Sequence, residues 1–210
     1  MAQPQSTRTL PTGPSSPVPL GSTDSTILLG EFRTSDMPAL KACFADRETA
    51  VWNPGPADGD VAAWIALRND WSDGAHLSWA VRGADGLLLG SLSIFKLDTV
   101  LSSAQVGYFV FPGHRGYGVA RRALALGVPF TFAERDIHRL ELFHAVENGA
   151  SCSVATAAGF PLEGVLRQSY VYADGLRHDE HLHARLATDP IGGTDPVGAR
   201  ARGRPESTGR

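Results

Sequence analysis

Cysteine is nearly absent from this 210-residue chain: Cys43 and Cys152 are the only two, far apart and outside any C-x-x-C pattern. That scarcity argues against a disulfide framework or a metal site and fits a reducing cytosol, so a cytoplasmic protein is expected. There is no run of about 18 apolar residues, so no transmembrane helix is expected. The N-terminal stretch has no basic segment leading into an apolar core, and no secretory signal is expected either. Charge of one sign is also lacking: the net charge is −3, which gives no general attraction to nucleic acid or to an anionic membrane. A hydrophobic share of 42% is ordinary for a globular domain, and the length suits one domain with tails.

Residues 1–24 are rich in Pro, Ser, Thr and Gly and carry few large apolar side chains. Such a segment cannot bury enough surface to offset its ordering entropy, so it is expected to be disordered. Residues 188–210 repeat the pattern around Arg200, Arg202, Arg204 and Arg210, with acids in the same segment, and read as a solvated tail. The domain is expected over residues 25–187. Ile27 begins a first strand, and Ser35 is placed to cap a helix in which Met37, Leu40, Cys43 and Phe44 share a face. A second amphipathic helix is expected over 58–71, burying Val61, Trp64, Ile65 and Leu67. A hairpin follows, with strands at 77–81 and 87–97, then a strand at 105–111, a helix over 118–134 and a strand at 140–146. A short helix over 150–158 should stop at Gly159, and strands at 164–172 and 178–186 should close on Asp174-Gly175. The order predicts an α/β domain with a mixed, mostly antiparallel sheet and one parallel crossover.

The most informative stretch is 105–120. Val106, Tyr108, Phe109, Val110 and Phe111 have strong β preference, and Pro112 should end their strand. Gly113, Gly116 and Gly118 then surround Arg115 before a helical run begins at Val119. A strand, a glycine-rich turn and a helix start make an anion site, because free amides and the positive end of the helix dipole face the turn. Glycine there lets a phosphate reach the backbone without meeting a Cβ.

Arg115-Gly116-Tyr117-Gly118-Val119-Ala120 resembles the R/Q-x-x-G-x-G/A motif of the GNAT superfamily of N-acetyltransferases. Asn148, Ser151, Val154-Ala155 and Gly159-Phe160 resemble the second half of that fold. Residues 162–167, with Asp174-Gly175 and His178-Asp179, are similar to the RimJ/RimL-like branch, which includes ribosomal-protein N-terminal acetyltransferases. The resemblance covers about residues 26–187. It implies the GNAT fold: a mixed, mostly antiparallel six- to seven-stranded sheet flanked by helices, whose central parallel strands splay apart after a bulge. It implies acetyl-CoA as co-substrate, with the pyrophosphate cradled by Arg115, Gly116, Tyr117, Gly118, Val119 and Ala120. The pantetheine arm would lie along Phe109, Val110 and Phe111.

Two readings stand for Asn148 and Ser151, helix capping or cofactor contact, and the resemblance makes Ser151 a candidate acid for the departing thiolate. Glu141 is the candidate base, placed by period-two alternation on one face with Phe143 and Ala145. The chain departs from the RimL-like pattern at Ser169-Tyr170, where those proteins carry a glutamate, and at Gln105, where many relatives carry an acid. His144 reads as core-facing, His178, His181 and His183 as a polar strand face without a completed metal set, and Trp52 as a wall of the acceptor pocket. The expected activity is transfer of acetyl to a primary amine, a protein N-terminal α-amine or a small molecule. A domain that binds acyl-CoA without turnover is the rival from another class. A homodimer is left open.

Overall fold

The computed structural model describes residues 18–19 and 27–190. The expected tails therefore lie outside the described residues, except for Val18–Pro19 and the first residues after 187. The elements in chain order are β1 (Val18–Pro19), β2 (Ile27–Gly30), α1 (Met37–Phe44), α2 (Arg47–Trp52) and α3 (Val61–Asn69). They continue with β3 (His76–Gly83), β4 (Leu88–Asp98), β5 (Ser103–Val110), α4 (Val119–Arg135) and β6 (Arg139–Ala145). The last elements among the described residues are α5 (Gly149–Ala157), β7 (Leu162–Val171) and β8 (Arg177–Leu186).

The strands form a single sheet in the order β1-β2-β3-β4-β5-β6-β8-β7. Seven of them have the length of ordinary strands, as expected, and the two residues of β1 extend the edge by pairing with Leu28 and Leu29. Every pairing is antiparallel except β5 with β6, joined by the α4 crossover. Both faces of the sheet are covered. Trp79, Val81, Leu92, Ile94, Val106 and Leu142 pack with α4 and α5, whereas Ala80, Leu88 and Phe111 pack with α1 and α3 through Leu40, Val61 and Trp64. Alternating residues of β3 thus feed opposite cores, as the two-residue period of a strand requires. Gly127 lets α4 sit close to β4, since a Cβ there would collide with the Leu92 side chain.

The first helices differ from expectation. Ser35 caps nothing; it lies in a 3-10 turn, Thr34–Asp36, where the Asp36 carboxylate accepts the Arg33 amide at 2.7 Å. Asp36 is buried against the guanidinium of Arg82, with contacts of 3.0 and 2.5 Å. The helix expected over 58–71 is shortened to α3, and the unexpected α2 precedes it. Asp46 caps α2 through the Thr49 amide at 3.0 Å, and Asp60 caps α3 through the Ala63 amide at 2.9 Å. Val61, Trp64 and Ile65 face inward as expected, but Leu67 lies off that stripe and is 62% exposed. Among the described residues no helix is long and apolar enough to cross a membrane.

Of the irregularities in the sheet, two bear on the cleft and its surroundings. The first is in the parallel ladder, which runs only from Ser103↔Arg139 to Val106↔Leu142. Beyond it β5 continues on β4 to Val110↔Gly90 and β6 continues on β8 to Ala145↔Glu180, so the two strands part. The expected bulge is not where they part: β5 keeps one-to-one register with β4 from Gln105 to Val110, and the slip falls after Phe95 of β4. The second irregularity is in β7, where residues 167–169 oppose one residue of β8 and Gln168 takes a φ of 49°. This bulge turns the Ser169 hydroxyl onto Glu180 at 2.8 Å.

Candidate active site

The gap between β5 and β6 opens into a cleft of about 420 Å³. Its walls come from Tyr108–Val110 of β5, the turn before α4, the first turns of α5, and α2 with Trp52. Backbone alternation decides which strand groups face it. Phe111 donates its amide to Leu89 at 2.9 Å, and the Phe109 carbonyl is pressed against Gly90 of β4. The intervening Tyr108 and Val110 therefore direct their backbone groups into the gap. Of the three residues expected along the pantetheine arm, only Val110 has this orientation. Phe109 contributes its ring, and Phe111 is buried in the core on the α1–α3 side.

The glycine-rich turn has the backbone that the sequence suggested. Gly116 and Gly118 have φ of 80° and 71°, a region costly for any residue with a Cβ. Gly118 is the N-cap of α4 and offers no side chain, so no cap occupies the first amides of the helix. Val119 and Ala120 are buried beneath them, while the Tyr117 side chain points away and is 73% exposed. Its carbonyl is held by Arg122 at 2.9 Å. Arg115 differs from its expected role. Its guanidinium donates to Asp46, Glu48 and Thr49, each at 2.7 Å, and to the Val110 carbonyl at 3.3 Å. It ties the turn to α2, and the exposed basic side chain on the cleft wall is Arg121 instead.

Asn148 caps α5 by accepting the Ser151 amide at 3.0 Å, so its capping role is real, yet it also lines the cleft. The Ser151 hydroxyl lies 2.9 Å from the hydroxyl of Tyr108. Burial pushes the Tyr108 phenol up to about 12, against the opposing effect of its bond to Ser151. Tyr108 was legible only as a strand residue, since nothing in its neighbours announces a hydroxyl pair with a residue on a distant helix.

Glu141 does not reach this place. It pairs with Gln105 in the closed part of the parallel ladder, and its carboxylate accepts from Arg139 at 2.9 Å. Arg139 also binds Glu163 at 3.1 Å. The cause is register: the strands have not yet parted at Glu141. The carboxylate that does line the cleft, Glu48, is held by Arg115. At the far end, Trp52 stands edge-on to Tyr172 at 5.1 Å and to His178 at 5.8 Å. His178 is hydrogen-bonded to Glu147 at 3.2 Å and Asp174 at 3.0 Å, which raises its pKa above the ordinary histidine value. The Tyr172 hydroxyl donates to buried Glu180 at 2.9 Å, and burial holds its phenol protonated.

Comparison with known proteins bears on the family and the fold. The acetyltransferase (GNAT) domain family matches residues 26–161. The probable N-acetyltransferase YjcK of Bacillus subtilis is 34% identical over 107 residues, covering 50% of this chain and 59% of that protein. The ribosomal-protein-serine acetyltransferase of Escherichia coli is 29% identical over 99 residues, 47% of this chain and 55% of that protein. These matches thus span little more than half the length of the relatives. Among solved structures, Mycobacterium smegmatis RimJ in complex with CoA-disulfide superposes with a TM-score of 0.72 at 28% identity, covering 83% of this chain and 88% of that one. Vibrio cholerae spermidine N-acetyltransferase, with CoA and spermine, shares the fold, at a TM-score of 0.66 and 20% identity over 76% of this chain and 95% of that one. The chain belongs to the GNAT acetyltransferase family, in its RimJ/RimL-like branch.

Proposed function

We propose that this protein transfers acetyl from acetyl-CoA to a primary amine by direct attack, and that the acceptor is a protein N-terminal α-amine. The observation that carries the reading is the parting of β5 and β6 directly above the uncapped first turn of α4. A pyrophosphate has amides and a helix dipole to meet at Gly116–Ala120, with Arg121 beside them. A pantetheine amide has the backbone of Tyr108 and the amide of Val110, whose carbonyl accepts from Arg115, and can extend them like an added strand. The thioester then lies near the Tyr108–Ser151 hydroxyls.

The amine nitrogen forms the new C–N bond, the tetrahedral adduct collapses with cleavage of C–S, and the ammonium proton passes to water. Tyr108 is a hydrogen-bond donor to the departing thiolate and keeps its own proton. Its pKa of about 12 lies well above that of an ordinary thiol, about 8.5. The thiolate is reprotonated from solvent.

Among the described residues, the carboxylate that lines the cleft is Glu48, and it is held by Arg115. We infer that the acceptor arrives already neutral rather than losing its proton to a carboxylate of the cleft. An α-amine, with a pKa near 7.7–8.0, is neutral in roughly a tenth of molecules or more at pH 7, whereas a lysine-like amine is neutral in fewer than about one in a thousand. That difference favours an N-terminus over a polyamine, and the aromatic wall of Trp52 and Tyr172 suits a peptide end. A homodimer remains part of this reading; the edge strand β7 exposes Val165, Leu166 and Tyr170, and sedimentation equilibrium reads the assembly.

The experiment is thiol release from acetyl-CoA with short peptides bearing free N-termini, against spermidine and lysine. Faster turnover of the peptides, with kcat/KM rising in proportion to the neutral amine up to its pKa, is expected. Absence of acetyl-CoA binding by calorimetry would overturn the activity, and a preference for spermidine would overturn the acceptor.

A further inference from the structure

Four side chains that the reaction does not use meet beside the gap. His144 of β6 is the register partner of His181 on β8, and His183 lies two residues further along the same face. α5 brings Cys152 over them. One ligand atom from each of the four residues lies within 4.8 Å of all the others. The sequence suggested only a histidine-bearing strand face, because the thiol and His144 come from other elements.

The hydrogen bonds determine which nitrogens are free. His144 Nδ1 faces the Ala145 carbonyl at 2.8 Å, and His183 Nδ1 faces the Phe160 carbonyl at 2.9 Å. A carbonyl can only accept, so both Nδ1 atoms carry the proton and both Nε2 atoms present a lone pair. This is the support that metal-bound imidazoles commonly receive from backbone carbonyls. His144 is 4% exposed and His183 1%. His144 Nε2 and His181 Nδ1 are buried with no hydrogen-bond partner among the described residues. Cys152 Sγ stands 3.9 Å from His183 Nε2, the outer limit for a thiol hydrogen bond. The alternative is a cluster of neutral rings, with His144 and His183 stacked at 5.1 Å. That alternative leaves two buried nitrogens unpaired, which is unfavourable.

We propose that His144, Cys152, His181 and His183 bind one zinc ion. Three imidazoles and a thiolate form a donor set suited to tetrahedral zinc, and with all four positions taken by protein the site is structural rather than catalytic. Tetrahedral coordination would draw the ligand atoms to roughly 3.3–3.6 Å from one another, given Zn–N near 2.0–2.1 Å and Zn–S near 2.3 Å. On binding, the Cys152 S–H bond breaks, the sulfur donates to zinc, and the proton leaves to solvent. The ion would pin α5, with Asn148 and Ser151 at its start, to β6 and β8.

The test uses the full chain without an affinity tag, stripped with a chelator and titrated with cobalt(II) as the spectroscopic probe. Uptake of one cobalt per chain is expected, with tetrahedral bands and a thiolate-to-cobalt charge-transfer band that zinc then displaces. Cys152→Ser should abolish the charge-transfer band, and His181→Gln should weaken uptake at least about tenfold. No stoichiometric uptake by the wild-type chain, or uptake unchanged in Cys152→Ser, would overturn the site. Circular dichroism on each variant confirms that it is folded. Acetyl-CoA calorimetry on the same samples keeps this result separate from the acetyltransferase reading, on which the proposal does not depend.

Discussion

Tyr108 and Gly118 are the two residues whose roles can be isolated by the smallest changes. Removing the Tyr108 hydroxyl leaves the ring in the wall of the cleft and, on the proposed mechanism, takes away one hydrogen bond to the departing sulfur. Tyr108→Phe should lower kcat by roughly tenfold to a hundredfold with KM little changed, the amount expected for losing a bond of about 1.5–3 kcal/mol to a charged group. Steady-state kinetics with a saturating peptide checks this, and an unchanged kcat would move Tyr108 to a packing role. Gly118→Val acts differently. A Cβ there has Arg122 Nη1 at 3.5 Å as its nearest neighbour, so space within the fold is not the obstacle. The φ of 71° is, together with the room a phosphate needs. Acetyl-CoA binding measured by calorimetry should be lost while the far-ultraviolet circular dichroism stays native.

At the scale of elements, the unexpected partnership is between α2 and the glycine-rich turn. Asp46 caps α2 and at the same time receives Arg115 from the turn, so one carboxylate sets the position of both. The Thr49 amide, and then Arg115, hold its pKa down at about 2. A carboxylate whose folded pKa is depressed stabilises the fold above its unfolded pKa, near 3.9, and loses that contribution as pH falls through the folded value. The wild-type protein should therefore lose stability between about pH 4 and pH 2, and Asp46→Asn should flatten that part of the curve. Acid unfolding followed by circular dichroism reads the difference. Legibility also varied by element. β5, α4 and α5 were readable because β-branched and aromatic residues, glycine punctuation and Gly159 act locally. α2 was not, because its six residues have too little apolar periodicity and depend on a cap and on Arg115 from far along the chain.

For the whole molecule, the cleft joins parts that are distant in sequence, so a cofactor that fills it should stabilise the fold as a unit. Acetyl-CoA at a hundred times its dissociation constant should add about 2.7 kcal/mol, or roughly 5–11 °C in Tm for a chain of this size. Differential scanning calorimetry measures it, and no shift at saturation would contradict binding in the gap.

The sequence by itself determined the local shape of the glycine-rich turn and the family, because both are carried by short-range requirements. Positive φ at Gly116 and Gly118, an uncapped helix start at Val119 and an Asn cap at 148 are consequences of residues acting on their own backbone. It also determined the α/β order, since strand and helix periods are local. Tertiary structure decided the rest. Register in the parallel ladder kept Glu141 out of the cleft, backbone alternation selected Tyr108 and Val110 over Phe109 and Phe111, and packing gave Arg115 to Asp46 and Glu48. The same packing gathered His144, Cys152, His181 and His183 from three elements. Pairing across a sheet and helix docking are set by the summed burial of the whole core, and no window of sequence contains that sum.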